Sequence, residues 1–182
     1  MKILVFTEGT ILIFAQGKNL PREEQIRMSQ QAGIQREENA LAFENDLPLP
    51  AVEEGSVYDF SSYVPIGNAV EKLITWKNQG ASIYYLTSRR IKEEIKIIQK
   101  LLREYNFPDY QNLFFRSKGE NYKDVAERVM PDILIEDDCI SIGGEKEMVY
   151  PHINDSLKSK IIPVVIPEFS GIDELADDIT EF

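Results

Sequence analysis

Four short runs carry the side chains suited to chemistry: Phe6-Thr7-Glu8-Gly9-Thr10, Leu86-Thr87-Ser88-Arg89, Ser117-Lys118-Gly119 and Glu136-Asp137-Asp138. Hydroxyl and ammonium groups, as at Thr87, Ser88 and Lys118, suit the oxygens of a phosphate. Carboxylates, as at Glu136 and Asp137, are hard oxygen ligands suited to Mg²⁺. Glu8 is a carboxylate close behind an apolar run, placed to act as a base. Taken singly, each run has an ordinary explanation. A threonine after a strand is common, a lysine opening a helix is usually at the surface, and an acidic run can cap a turn. Their common position, each just after an apolar run, is what joins them.

Those apolar runs are the elements that must position the site. Lys2–Phe6 (KILVF) reads as a short buried strand, as do Ala81–Leu86, Asn112–Phe115, Ile133–Ile135 and Ile161–Ile166. Helical patterns lie between them. Ile66, Val70, Leu73, Ile74 and Lys77 share one helical face, and Gly80 stops it. Ile91, Ile95, Ile98 and Leu102 form a second face. Tyr122–Val129 forms a third helix, closed before Pro131, and Ile172–Ile179 a terminal one. Strand and helix alternate, which implies an α/β fold: a Rossmann-like parallel sheet of about five strands with helices on both faces. Ligands of such sheets sit outside the carboxyl ends of the strands, where all four runs fall. Residues 11–60 break this rhythm. They hold a weakly amphipathic helix at Arg22–Gln31, opened by Pro21, and then the acidic, proline-containing stretch NDLPLPAVEEGS. They read as a small cap inserted into a core made of residues 1–10 and 61–182.

With these runs in this order, the sequence resembles the haloacid dehalogenase superfamily over roughly residues 1–10 and 66–182. The family opens with two hydrophobic residues and Asp-x-Asp-Gly-Thr. Here Val5-Phe6-Thr7-Glu8-Gly9-Thr10 stands at that place, so Phe6 replaces the aspartate nucleophile and Glu8 the general acid/base. The resemblance makes Thr87 of IYYLTS the phosphate-binding hydroxyl, with Ser88 beside it. It makes Lys118 the motif lysine, with Lys123 as the alternative. Glu136 and Asp137 of ILIEDD become the acidic pair that holds Mg²⁺, with Asp137 and Asp138 as the alternative pairing. An aspartyl-phosphate mechanism needs a carboxylate at position 6 both to attack and to hold the metal, and a benzyl group does neither. Strand alternation turns Thr7 away from the crevice if Phe6 and Glu8 face it. The expected function is therefore a degenerate family member that binds a small phosphorylated or anionic ligand, with Mg²⁺ held weakly because one ligand is lost at Phe6. The alternative is an active Mg²⁺-dependent phosphohydrolase with Glu8 as base. A response-regulator receiver also sets acids, a threonine and a lysine at strand ends, but its acidic pair follows the first strand and here the pair follows a late one.

Composition bounds the rest. The chain has 182 residues and a net charge of −11. Residues 35–60 hold seven acids and one arginine, and residues 167–182 hold six acids and no base, so each segment contributes −6. Such a surface repels phosphate backbones, and nucleic acid is not an expected partner. A single cysteine, Cys139, excludes an internal disulfide framework and fits a reducing cytoplasm. The absence of a long apolar run argues against a membrane partner. Arg89 and Arg90, beside Thr87, pair either with an anionic ligand or with the acids at 136–138. His152 reads as a loop residue, and Trp76 as helix packing.

Overall fold

The computed structural model describes residues 1–32 and 52–182. Its main sheet has five parallel strands: β1 (Lys2–Phe6), β4 (Ser82–Leu86), β5 (Leu113–Phe114), β6 (Ile133–Asp137) and β7 (Ile162–Ile166), in the order β5-β4-β1-β6-β7. Lys2–Phe6 is the central strand, as its buried character requires. Two short strands, β2 (Leu12–Ile13) and β3 (Val64–Pro65), pair antiparallel outside this sheet. The helices are α1 (Arg22–Ala32), α2 (Ala69–Asn78), α3 (Lys92–Glu104), α4 (Tyr122–Val129) and the single turn α5 (Asp155–Lys158).

Side-chain alternation divides the core in two. Ile3, Val5, Ile83, Tyr85, Ile133 and Ile135 project to one side and bury against Leu73 and Trp76 of α2 and Ile98, Leu101 and Leu102 of α3. Leu4 and Leu134 project to the other side, against Val125, Ala126 and Val129 of α4. The sheet is thus covered by helices on both faces. Helix α4 opens with a capping box, in which Asn121 and Asp124 satisfy each other's backbone amides, and ends at Met130 in the left-handed conformation ahead of Pro131.

Two parts of the sequence reading meet a more detailed picture. The ends of the 11–60 segment pack into the core: Ile11, Leu12, Ile13, Phe14, Val57 and Phe60 join the cluster under α2 and α3. The acidic stretch up to residue 51 lies outside the described residues. The expected terminal helix at Ile172–Ile179 is absent from the structure. That segment is an irregular strap along α2, ending in a 3₁₀ turn at Ile179–Glu181. Its carbonyls at Leu175, Ala176 and Asp177 accept hydrogen bonds from Lys72 Nζ, Trp76 Nε1 and Gln79 Nε2 of α2 and its C-cap. Asp173 accepts the amide of Asn68. Bonds that a helix would make within itself are made to α2 instead.

Candidate functional site

The first strand ends at Phe6, and the chain then turns sharply. The amides of Ile11 and Leu12 both bond to Thr7 O, and Gly9 takes a φ of +83°. A Cβ at position 9 would lie 2.8 Å from Asp137 Oδ2. The glycine therefore lets β6's acid approach, and Thr10 Oγ1 donates to that same oxygen at 2.8 Å. The Gly-Thr frame is a socket for Asp137.

Glu8 and Thr87 meet directly. Thr87 Oγ1 donates to Glu8 Oε1 at 2.6 Å, and the Ser88 amide donates to Glu8 Oε2 at 3.1 Å. Thr7 Oγ1 also lies 2.6 Å from Glu8 Oε2, and Arg89 Nε lies 3.4 Å from Oε1. Strand alternation had turned Thr7 away from the site. Because the strand ends at Phe6, alternation no longer binds the next two residues, and the Thr7 hydroxyl reaches its neighbour's carboxylate. Arg89 lies beside Glu8, bonds to Ser88 Oγ at 2.6 Å and stacks over the Phe60 ring at 4.2 Å.

A cavity of about 100 Å³ opens beside this cluster. Its walls include Phe6, Glu8, Ser88, Arg89, Arg90, Arg116, Tyr122 and Asp137. The Phe6 ring meets Tyr122 edge-on, with centroids 5.1 Å apart, and the Arg116 guanidinium lies 3.7 Å from the Tyr122 ring centre. Lys118 is exposed and is not one of the residues lining this cavity; Lys123 lies 3.4 Å from Asp124. The cation contributed by the third strand end is Arg116, buried two residues before Lys118. The sequence reading looked past it to the Lys-Gly pair.

The acidic run also divides. Glu136 points away from the cavity: its oxygens accept the amides of Val149 and Tyr150, and burial raises its pKa to about 7. Glu136 thus stands apart from Asp137, its partner in the expected metal pair, because neighbouring residues on a strand face opposite sides, while the alternative pairing of Asp137 and Asp138 is brought together. Asp137 does reach the cavity, and burial raises its pKa to about 6. Asp137, Asp138 and Glu168 each place a carboxylate oxygen within 4.8 Å of the others. Glu168 follows β7 by two residues, and its pKa rises to about 7 through burial. The strand-end rule had been applied to four strands, and applying it to the fifth would have found this acid.

An all-oxygen set suits a hard cation such as Mg²⁺. Each of these carboxylate oxygens nevertheless already accepts a protein donor. Asp137 accepts from Thr10 and from the Cys139 amide. Glu168 accepts from the amide and the hydroxyl of Ser141. Asp138 accepts from the Glu168 and Ile140 amides and from Arg22 of α1, at 3.2 Å. Arg22 supplies positive charge at this edge, and the residues fit a metal poorly while it remains there. Burial next to these acids pushes the Cys139 thiol far above its usual range, which disfavours the thiolate. His152, with Nε2 3.0 Å from Lys146 O, is not one of the cavity-lining residues.

No protein-family model matches the sequence, and no curated protein matches it. Solved structures do. The class C acid phosphatase from Bacillus anthracis superimposes with a TM-score of 0.51 at 14% identity, covering 97% of this chain and 74% of that one. The same enzyme with tungstate bound superimposes at 0.50 and 14% identity, covering 93% and 68%. At this identity the likeness is one of fold. It extends over nearly the whole chain: this chain shares the α/β fold of that phosphatase, a five-stranded parallel sheet with helices on both faces.

Proposed function

We propose that this protein is a degenerate haloacid-dehalogenase-like member that binds a small phosphorylated or anionic ligand and lacks the phosphatase chemistry of its fold relatives. The observation that carries this reading is Phe6. It closes the central strand, lines the cavity and brings a phenyl ring against Tyr122, and the motif resemblance expects the attacking carboxylate at this residue. A hydrocarbon ring neither attacks phosphorus nor holds a metal, and loss of such a residue costs several orders of magnitude in rate. Arg89, Arg90 and Arg116 along the same cavity favour an anion. Mg²⁺, if it binds, would be held by Asp137, Asp138 and Glu168, and weakly, since Phe6 supplies no ligand and Arg22 already engages Asp138. The 11–60 segment is the cap in this reading.

The second reading, an active phosphohydrolase with Glu8 as base, draws support from the acidic cluster alone. It is weakened by the state of Glu8, whose two oxygens already accept hydrogen bonds from Thr87 and Ser88. Assay of the purified protein with a generic phosphate ester and Mg²⁺ separates the two. The expected result is no hydrolysis above buffer, together with calorimetric binding of phosphorylated small molecules. Phe6→Asp, which restores a carboxylate, is expected to strengthen Mg²⁺ binding. Robust wild-type turnover that is lost in Glu8→Gln would establish the second reading.

A further inference from the structure

Two residues that the resemblance assigns to phosphate, Thr87 and Ser88, spend a donor each on a side chain of the protein itself. Four groups converge on the Glu8 carboxylate from two strand ends: Thr7 Oγ1 at 2.6 Å, Thr87 Oγ1 at 2.6 Å, the Ser88 amide at 3.1 Å and Arg89 Nε at 3.4 Å. Both threonines are fully buried, so water does not compete for these donors. Hydroxyls, a backbone amide and a guanidinium around one pair of anionic oxygens are the same donors that bind a phosphate group.

We propose that this nest is an anion site whose resident occupant is the Glu8 carboxylate, and that an incoming phosphate group enters it only by displacing Glu8. The two anions exclude each other for two reasons. A threonine hydroxyl has one proton, and Thr87 donates it to Glu8 while its oxygen accepts the Arg89 amide at 3.2 Å. Two negative groups within hydrogen-bond distance of the same donors also repel. Glutamate at position 8, one methylene longer than aspartate, supplies the reach from the end of β1 to the end of β4. The ligand's anionic group is therefore directed to the arginines of the cavity wall unless it displaces Glu8. The inference rests on the proposed function only for the ligand's identity; the nest and its occupant stand apart from it.

The test is chemical rescue by inorganic phosphate. Glu8→Ala empties the nest and leaves its donors unsatisfied, so the variant is expected to be less stable than wild type. Added phosphate should raise its thermal midpoint in a dose-dependent way and bind roughly tenfold or more tightly than to wild type. The gain should vanish in Glu8→Ala/Thr87→Val, which loses the central hydroxyl. Glu8→Ser, which also vacates the nest but keeps a small hydroxyl, serves as a second variant, and recovery of folded circular dichroism by phosphate counts as rescue where either is unfolded alone. Absence of rescue in both variants, or rescue that survives Thr87→Val, overturns the inference. Failure of the proposed function looks different: wild type then binds no phosphorylated molecule while rescue of Glu8→Ala persists.

Discussion

Gly9 sets how closely the acidic edge approaches the central strand. Its φ of +83° and its short distance to Asp137 leave no room for a side chain. Gly9→Ala is expected to cost about 1–3 kcal/mol in urea denaturation, from strain at positive φ and displacement of Asp137; an unchanged midpoint would mean the carboxylate moves aside freely. Two phenols mark the burial on the other side of the site. Tyr63 donates to Val57 O at 2.7 Å and Tyr85 to Pro108 O, and burial pushes both above the usual tyrosine range. A group whose folded pKa is raised contributes stability that is complete below its unfolded pKa, about 10, and is lost as pH rises beyond it. Phenolate absorbance followed on raising the pH should show these two ionising only together with unfolding, and Tyr63→Phe should remove one tyrosine from that late phase.

At the scale of elements, helix α2 secures the chain's last segment. Lys72, Trp76 and Gln79 follow one another along it and its C-cap and hold three successive carbonyls of the strap. Trp76 also meets Phe182 edge-on at 5.4 Å. Trp76→Phe keeps most of the apolar volume and removes the bond to Ala176 O. The expected cost is about 1 kcal/mol, from loss of the bond to a part-buried carbonyl. Amide exchange should accelerate in residues 172–182 well before it does in β1 and β4. Equal acceleration in both would mean that the strap and the sheet unfold as one unit. Helix α4 is secured at its own start, where Asn121→Ala should cost about 1 kcal/mol through loss of the capping box.

At the scale of the molecule, α1 is tied to the acidic edge of the sheet. Arg22 bonds to Asp138 and to Glu168 O, and Ser29 meets Ser141, which in turn holds Glu168. The Arg22–Asp138 pair is part-exposed, so its energy is small, about 0–1 kcal/mol. Its effect is on charge: it leaves a positive group where a cation would otherwise be drawn. Arg22→Ala is therefore expected to change stability little and to raise affinity for Mn²⁺ measured by calorimetry. A variant no better at binding Mn²⁺ than wild type would show that the hydrogen bonds to Asp137 and Glu168 are enough to exclude the ion. No helix among the described residues is long and apolar enough to cross a membrane.

The sequence by itself determined the strands and their shared parallel sense. Buried β-strands and amphipathic helices write their periods locally, and β1, β4, β6 and α4 stood where those periods put them. It also places Phe6 where the resemblance expects an aspartate, since residue type is a matter of covalent identity. Tertiary structure decided which polar groups are available. Whether Thr87 offers its proton to a ligand or to Glu8 depends on a contact between residues 79 positions apart. Whether Glu136 or Asp137 faces the cavity depends on where alternation and the Gly9 turn leave each acid. The same holds for Arg116 over Lys118, and for the strap at Ile172–Ile179, whose apolar pattern fits a helix until α2 takes its carbonyls. Local propensity specifies elements; hydrogen-bond partners are chosen by whichever donors the finished fold brings within about 3 Å.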